Sequence, residues 1–111
     1  MSIRSVEMYV EDIMVAIDRI FGYVQGFDIL VLENDQRTID AVVRNLEIIG
    51  EAANSIPENV KSKNPEVPWY EMRGIRNMVV HEYFGVDLDI IWQTINEDLP
   101  LLRNLLEKFR Y

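Results

Sequence analysis

The sequence has no cysteine, a single histidine and only 11 basic residues against 19 acidic ones. Each shortage excludes something. Without cysteine there is no disulfide framework and no thiolate metal site, so the fold must rest on packing alone, which fits a reducing cytoplasm. One histidine leaves histidine-rich metal centres and the usual nucleophile–base triads without their parts, so neither a metal nor another cofactor is expected. The formal charge of -8 argues against a general electrostatic grip on nucleic acid, which needs Lys and Arg to displace counterions from phosphate. No apolar run approaches the roughly 20 residues that span a bilayer, and the amino terminus lacks the basic-then-apolar order of a signal peptide. A protein that is neither secreted nor embedded in a membrane is expected.

What the chain does have is apolar residues, 49% of 111, enough for one packed core and one domain spanning residues 1–111. Val6, Val10, Ile13, Ile17, Ile20 and Val24 recur at steps of three and four, predicting an amphipathic helix from about Val6 to Ile20. Gly22 and Gly26 bracket a flexible connection, and Glu33-Asn34-Asp35-Gln36 supplies capping side chains for a second helix. The clearest seam follows: Ile39, Val42, Leu46, Ile49, Ala53 and Ile56. Its coiled-coil-like spacing suits packing inside one bundle or between two subunits.

Pro57, Pro65 and Pro68 disfavour helix and predict a surface connection that ends just before Trp69. A third helix is expected from Trp69 into the segment Arg76-Asn77-Met78-Val79-Val80-His81-Glu82-Tyr83. Gly85 suggests a turn, and Asp87 can cap a last helix whose broad apolar face runs from Leu88 to Phe109, with Pro100 expected to kink it near its middle. Nothing alternates with period two. The expected fold class is therefore all-α, an antiparallel four-helix bundle.

Chemistry concentrates in the segment from Arg76 to Tyr83. Arg76 and Tyr83, seven residues apart, return to nearly the same helical face, where a guanidinium and a phenol can border one site. The alternative is an Arg held by a carboxylate and a Tyr packed in the core. His81 lies about 140° round a regular helix from Arg76. Bringing them together requires either a helix distorted or ending near His81, or a two-fold axis across which a second subunit supplies its own copies. Lys61, Lys63, Arg73 and Arg76 outnumber Glu66 and Glu71 between positions 61 and 76, a local reversal of the acidic balance that is either scattered surface charge or an extended phosphate-binding surface.

Arg76-Asn77-x3-His81-x-Tyr83 resembles the Arg-x4-His-x-Tyr signature of the HEPN superfamily. The wider context, Met72-Arg73-Gly74-Ile75-Arg76-Asn77 through His81-Glu82-Tyr83-Phe84-Gly85-Val86-Asp87, is similar to the HepT toxins, also called the DUF86 family, and Asn54 to Pro57 also looks family-like. The resemblance implies a HEPN-like helical bundle and a metal-independent endoribonuclease toxin of a type VII toxin-antitoxin system. It further implies a cytoplasmic homodimer, with higher assembly possible, neutralised by an MNT-type nucleotidyltransferase antitoxin that attaches AMP to the motif tyrosine, here Tyr83. In that reading RNA is the substrate, His81 is the acid or base because imidazole titrates near neutrality, and Arg76 holds the scissile phosphate through its paired donors. Asn77 orients His81 or contacts substrate, unless it is simply a surface amide. Arg73, Lys61 and Lys63 extend the RNA contact. The rival reading is a non-catalytic helical dimer that binds a nucleotidyltransferase partner or a nucleotide, in which His81 supports the fold.

Overall fold

Ser5 opens the first helix: its hydroxyl accepts the Met8 N–H at 3.2 Å, meeting one of the donors that every helix start leaves unpaired. This helix, α1 (Val6–Tyr23), is followed by α2 (Ile29–Glu33), α3 (Gln36–Ser55), α4 (Glu58–Lys63), α5 (Trp69–His81), α6 (Leu88–Gln93) and α7 (Leu99–Glu107). The computed structural model describes residues 5–81 and 87–109, and for 76–81 it describes the backbone alone. The fold is all-helical; the described residues hold no strand, in line with the HEPN-like bundle expected. Among the described residues no helix is long and apolar enough to cross a membrane.

Helix α1 runs three residues beyond the expected end, to Tyr23, and the chain reverses at Gly26, whose φ of 79° is open to glycine at little cost. Beyond the connection bracketed by Gly22 and Gly26 the chain forms α2, which no sequence signal announced, capped by Asp28, whose carboxylate accepts the Val31 N–H at 2.9 Å, and anchored by fully buried Leu32. The expected capping run does cap α3. Asp35 accepts from the Thr38 N–H at 3.1 Å and the Thr38 hydroxyl at 2.8 Å, and these bonds, the hydroxyl's first, hold its carboxyl below the usual carboxylate value.

The seam of α3 faces inward as its spacing predicts. Val42, Leu46 and Ile49 are fully buried together with Ile13, Ile17 and Ile20 of α1. The early residues Tyr9 and Asp12 of α1 share a shallow cleft with the late residues Ile48, Glu51, Ala52 and Ser55 of α3, so the two helices run antiparallel. Trp69 meets Phe109 edge-on, with centroids 5.9 Å apart, while Met72 and Ile75 lie beside Leu99 and Leu102, which makes α5 and α7 antiparallel as well. Arg103 of α7 grips Asp18 of α1 through two nitrogens, at 2.8 Å and 3.1 Å, and that pairing raises the guanidinium's pKa. One polar group sits awkwardly in this core: Asn45, buried in α3, donates to the Ala41 carbonyl at 2.8 Å, but its own amide oxygen has no partner among the described residues.

Two expectations need correction. The proline-punctuated stretch between α3 and α5 is not simply a surface connection, because it folds α4 and buries Lys61, Asn64 and Val67. Pro57 is the residue preceding α4, a position where a missing N–H costs nothing. The distortion expected at Pro100 lies upstream, as a π-helical turn at Thr94–Asp98 that joins α6 to α7. A proline ring clashes with the carbonyl four residues back and offers it no N–H. For Pro100 that carbonyl belongs to Asn96, inside the wide turn, and the Leu99 N–H reaches back to Thr94 instead. The turn expected near Gly85 lies outside the described residues.

Candidate functional site

Helix α5 carries the motif, and its first turn fixes where the motif sits. The Pro68 carbonyl accepts the Met72 N–H at 3.0 Å, starting the helix at Trp69 without needing an N–H from the proline. The Trp69 indole N–H donates to the Asn64 carbonyl at 3.0 Å, so a mostly buried ring has its one polar atom paired. Met72, three residues on, is 1% exposed. These two side chains lock the rotation of α5 against α3, α4 and α7, and every later residue inherits that phase.

From Arg76 to His81 the backbone remains α-helical. The angular separation of about 140° expected from a regular helix therefore stands, and no distortion between the two residues closes it. Arg76, Asn77 and His81 occupy the last two turns of α5 as backbone positions. Their side chains, and all of Tyr83, lie outside the described residues. The candidate catalytic residues Arg76, Asn77 and His81 thus share one helix, and the candidate modification site Tyr83 follows two positions after it in sequence. What could join its two sides is chain beyond His81 or a second copy.

The start of α5 is fully described and holds a cleft of about 330 Å³ lined by Glu58, Lys61, Ser62, Trp69, Tyr70 and Arg73. Lys61 is 7% exposed, its stem laid along the protein and its ammonium 3.9 Å from the Glu58 carboxylate, too far for a hydrogen bond. Arg73 is exposed at the mouth. Tyr70 is 81% exposed. Of the three basic residues proposed from sequence to extend the site, the structure thus joins Lys61 and Arg73 in one cleft, whereas Lys63 is exposed and outside its lining. Sequence reasoning missed Tyr70. Its signal was an aromatic residue three positions before Arg73, within a stretch of positive balance.

A family model described as "Ribonuclease HepT-like" matches residues 13–109, nearly the whole chain and all of α5. The chain belongs to the HepT-like ribonuclease family. Curated relatives agree over most of this chain. A protein of Thermococcus cleftensis named "Probable ribonuclease HepT" is 43% identical over 96% of this chain and 97% of its own. A protein of Methanocaldococcus jannaschii, provisionally named as an RNase, is 36% identical over 96% of this chain and 98% of its own. Another so named, from Caldanaerobacter subterraneus, is 37% identical over 90% and 89%. No solved structure matches the chain. Membership in a HepT-like ribonuclease family accords with the HEPN and DUF86 resemblance of the motif and with the expected endoribonuclease class.

Proposed function

We propose that this HepT-like protein is a metal-independent endoribonuclease, the toxin of a type VII pair, whose activity an MNT-type nucleotidyltransferase antitoxin silences by transferring AMP to Tyr83. The observation that carries the reading is a ribonuclease-family match spanning residues 13–109 around an intact Arg76-x4-His81-x-Tyr83 motif. In this mechanism the RNA's own 2′-hydroxyl attacks the adjacent phosphorus. His81 handles a proton in that displacement, taking it from the 2′-hydroxyl or giving it to the departing 5′-oxygen. Arg76 stabilises the charge that builds on the non-bridging oxygens. Asn77 orients the imidazole or contacts RNA. With Arg76 and His81 on different sides of α5, a homodimer that faces two copies of the helix toward each other offers a composite site. An AMP adduct on Tyr83 adds bulk and negative charge beside the phosphate-binding Arg76, excluding RNA by occupation and repulsion.

A second reading has a specific observation behind it. The charge of -8 and the single histidine suit a non-catalytic helical dimer that binds a nucleotidyltransferase partner or a nucleotide. One experiment separates the two: RNA cleavage in excess chelator by the protein and by His81→Ala and Arg76→Ala prepared identically, with Tyr83 shown unmodified by mass. Cleavage by the unmutated protein, reduced about a hundredfold or more in each variant, supports the nuclease. Equal cleavage in all three, or none in any, supports the binding protein.

A further inference from the structure

The geometry points to a second RNA contact on this chain: the cleft between α4 and the start of α5 receives an unpaired base on Tyr70, with Arg73 and Lys61 holding the flanking phosphates. The inference rests on RNA being the substrate, as proposed above, and adds where the strand runs beyond the cleavage point.

Two polar groups lining the cleft are already committed. The Ser62 hydroxyl donates to the Glu58 carbonyl at 2.9 Å, and the Trp69 indole N–H is taken by Asn64. Three are not. Arg73 makes no ion pair or side-chain hydrogen bond among the described residues, on a chain with 19 acidic residues that could have supplied a partner. The Lys61 side chain, 8% exposed, makes no hydrogen bond among the described residues and lies 3.9 Å from the carboxylate of Glu58, whose side chain is 85% exposed. The ring of Tyr70, 81% exposed, has an open face. An accessible aromatic ring flanked by uncommitted cations is what single-stranded nucleic acid requires, since bases stack on the ring and cations follow the backbone.

Placement strengthens the match. Tyr70, Arg73 and Arg76 follow one another at steps of three along α5, each about 4.5 Å further along the axis and about 60° back round it, so their positions form an inclined ridge that winds from the cleft toward the motif. A strand laid on that ridge meets the stacking ring a few nucleotides from the phosphate assigned to Arg76. The acidic net charge does not oppose this, because the ridge lies in a stretch, residues 61–76, where basic residues outnumber acidic ones. A protein partner fits less well. Specific protein interfaces bury about 800 Å² per side, whereas this cleft is bounded by six residues.

The test measures binding of a short 2′-O-methyl RNA, which lacks the free 2′-hydroxyl and is not cut, to the unmutated protein, Tyr70→Ala, Tyr70→Phe and Arg73→Ala. Both positions are exposed, and equal Tm values establish that each variant folds. Expected is about tenfold weaker binding for Tyr70→Ala, near-full retention for Tyr70→Phe, and for Arg73→Ala weaker binding with a shallower dependence on salt, by about one in log–log slope. Unchanged binding in both alanine variants overturns the inference and leaves the cleft to a protein. Tyr70→Phe as weak as Tyr70→Ala overturns the stacking role. Cleavage of ordinary RNA by the unmutated protein is followed in parallel. Tight binding governed by Tyr70 and Arg73 without any cleavage keeps this contact and sinks the nuclease; cleavage with unaffected binding does the reverse.

Discussion

The α1–α3 interface and the α4–α5 junction are built by opposite rules. Between α1 and α3 the contact is almost wholly aliphatic, with Ile13, Ile17, Ile20, Val42, Leu46 and Ile49 all fully buried. At the α4–α5 junction, burial takes in Lys61 and Asn64 beside Val67 and Trp69, and a 330 Å³ cleft stays open. Aliphatic burial contributes stability in proportion to area and is indifferent to direction. Buried polar groups demand partners at fixed angles. The first region gives the bundle its free energy, and the second sets the rotation at which α5 presents the residues that follow it.

Substitutions can break that division of labour. The largest loss should come from Leu46→Ala, which removes a fully buried side chain from the centre of α3: about 2–5 kcal/mol of stability by denaturant titration, with the RNA-binding salt dependence of the folded fraction unaltered. A stability change below 1 kcal/mol would show that the seam can collapse around the gap. Trp69→Phe keeps the apolar ring but removes the indole N–H. The Asn64 carbonyl retains the Val67 N–H at 3.2 Å, so a smaller cost is expected, about 1–3 kcal/mol, together with weakened RNA binding because the phase of α5 loosens. Lost stability with unaltered binding would show that Trp69 does not orient the helix.

The smallest effect belongs to Asp35→Ala at the head of α3. Hydrogen bonds from Thr38 hold the Asp35 carboxyl below its ordinary value in the folded chain. Its contribution is therefore complete above the unfolded-state value near 4 and disappears as pH falls through the lower folded-state value. The variant should melt a little below the unmutated protein at pH 7, and the gap should narrow as pH drops below about 4. A gap that persists in acid would assign the effect to helix propensity and not to the charged cap.

Much of this was legible in the sequence, for reasons that differ from element to element. Helices α1 and α3 have four or more turns, so their apolar steps repeat often enough to declare a period. The five residues of α2 and six of α4 complete less than two turns, and no periodic signal exists at that length. Pro57 and Pro65 even argue for a loop, although Pro57 sits where a helix tolerates proline. Lys61 reads as a solvated cation because sequence says nothing of the surface its stem will cover. In the candidate site, residue types single out Arg76 and His81 as candidates, and the backbone is helical from one to the other. Tyr70 stayed hidden because its exposure depends on Trp69, its neighbour, taking the inward direction.

The π-turn at Thr94–Asp98 acts as a phase corrector. Ile91, Ile95 and Leu99 are all buried, 2%, 3% and 0% exposed, though each is four residues from the next. In an unbroken α-helix eight residues overshoot two full turns by about 80°, enough to rotate Leu99 and everything after it off the bundle. The wider turn absorbs that overshoot. Leu102 and Leu106 then resume the inward line, and the last helix stays in step with α5 from Met72 to Trp69.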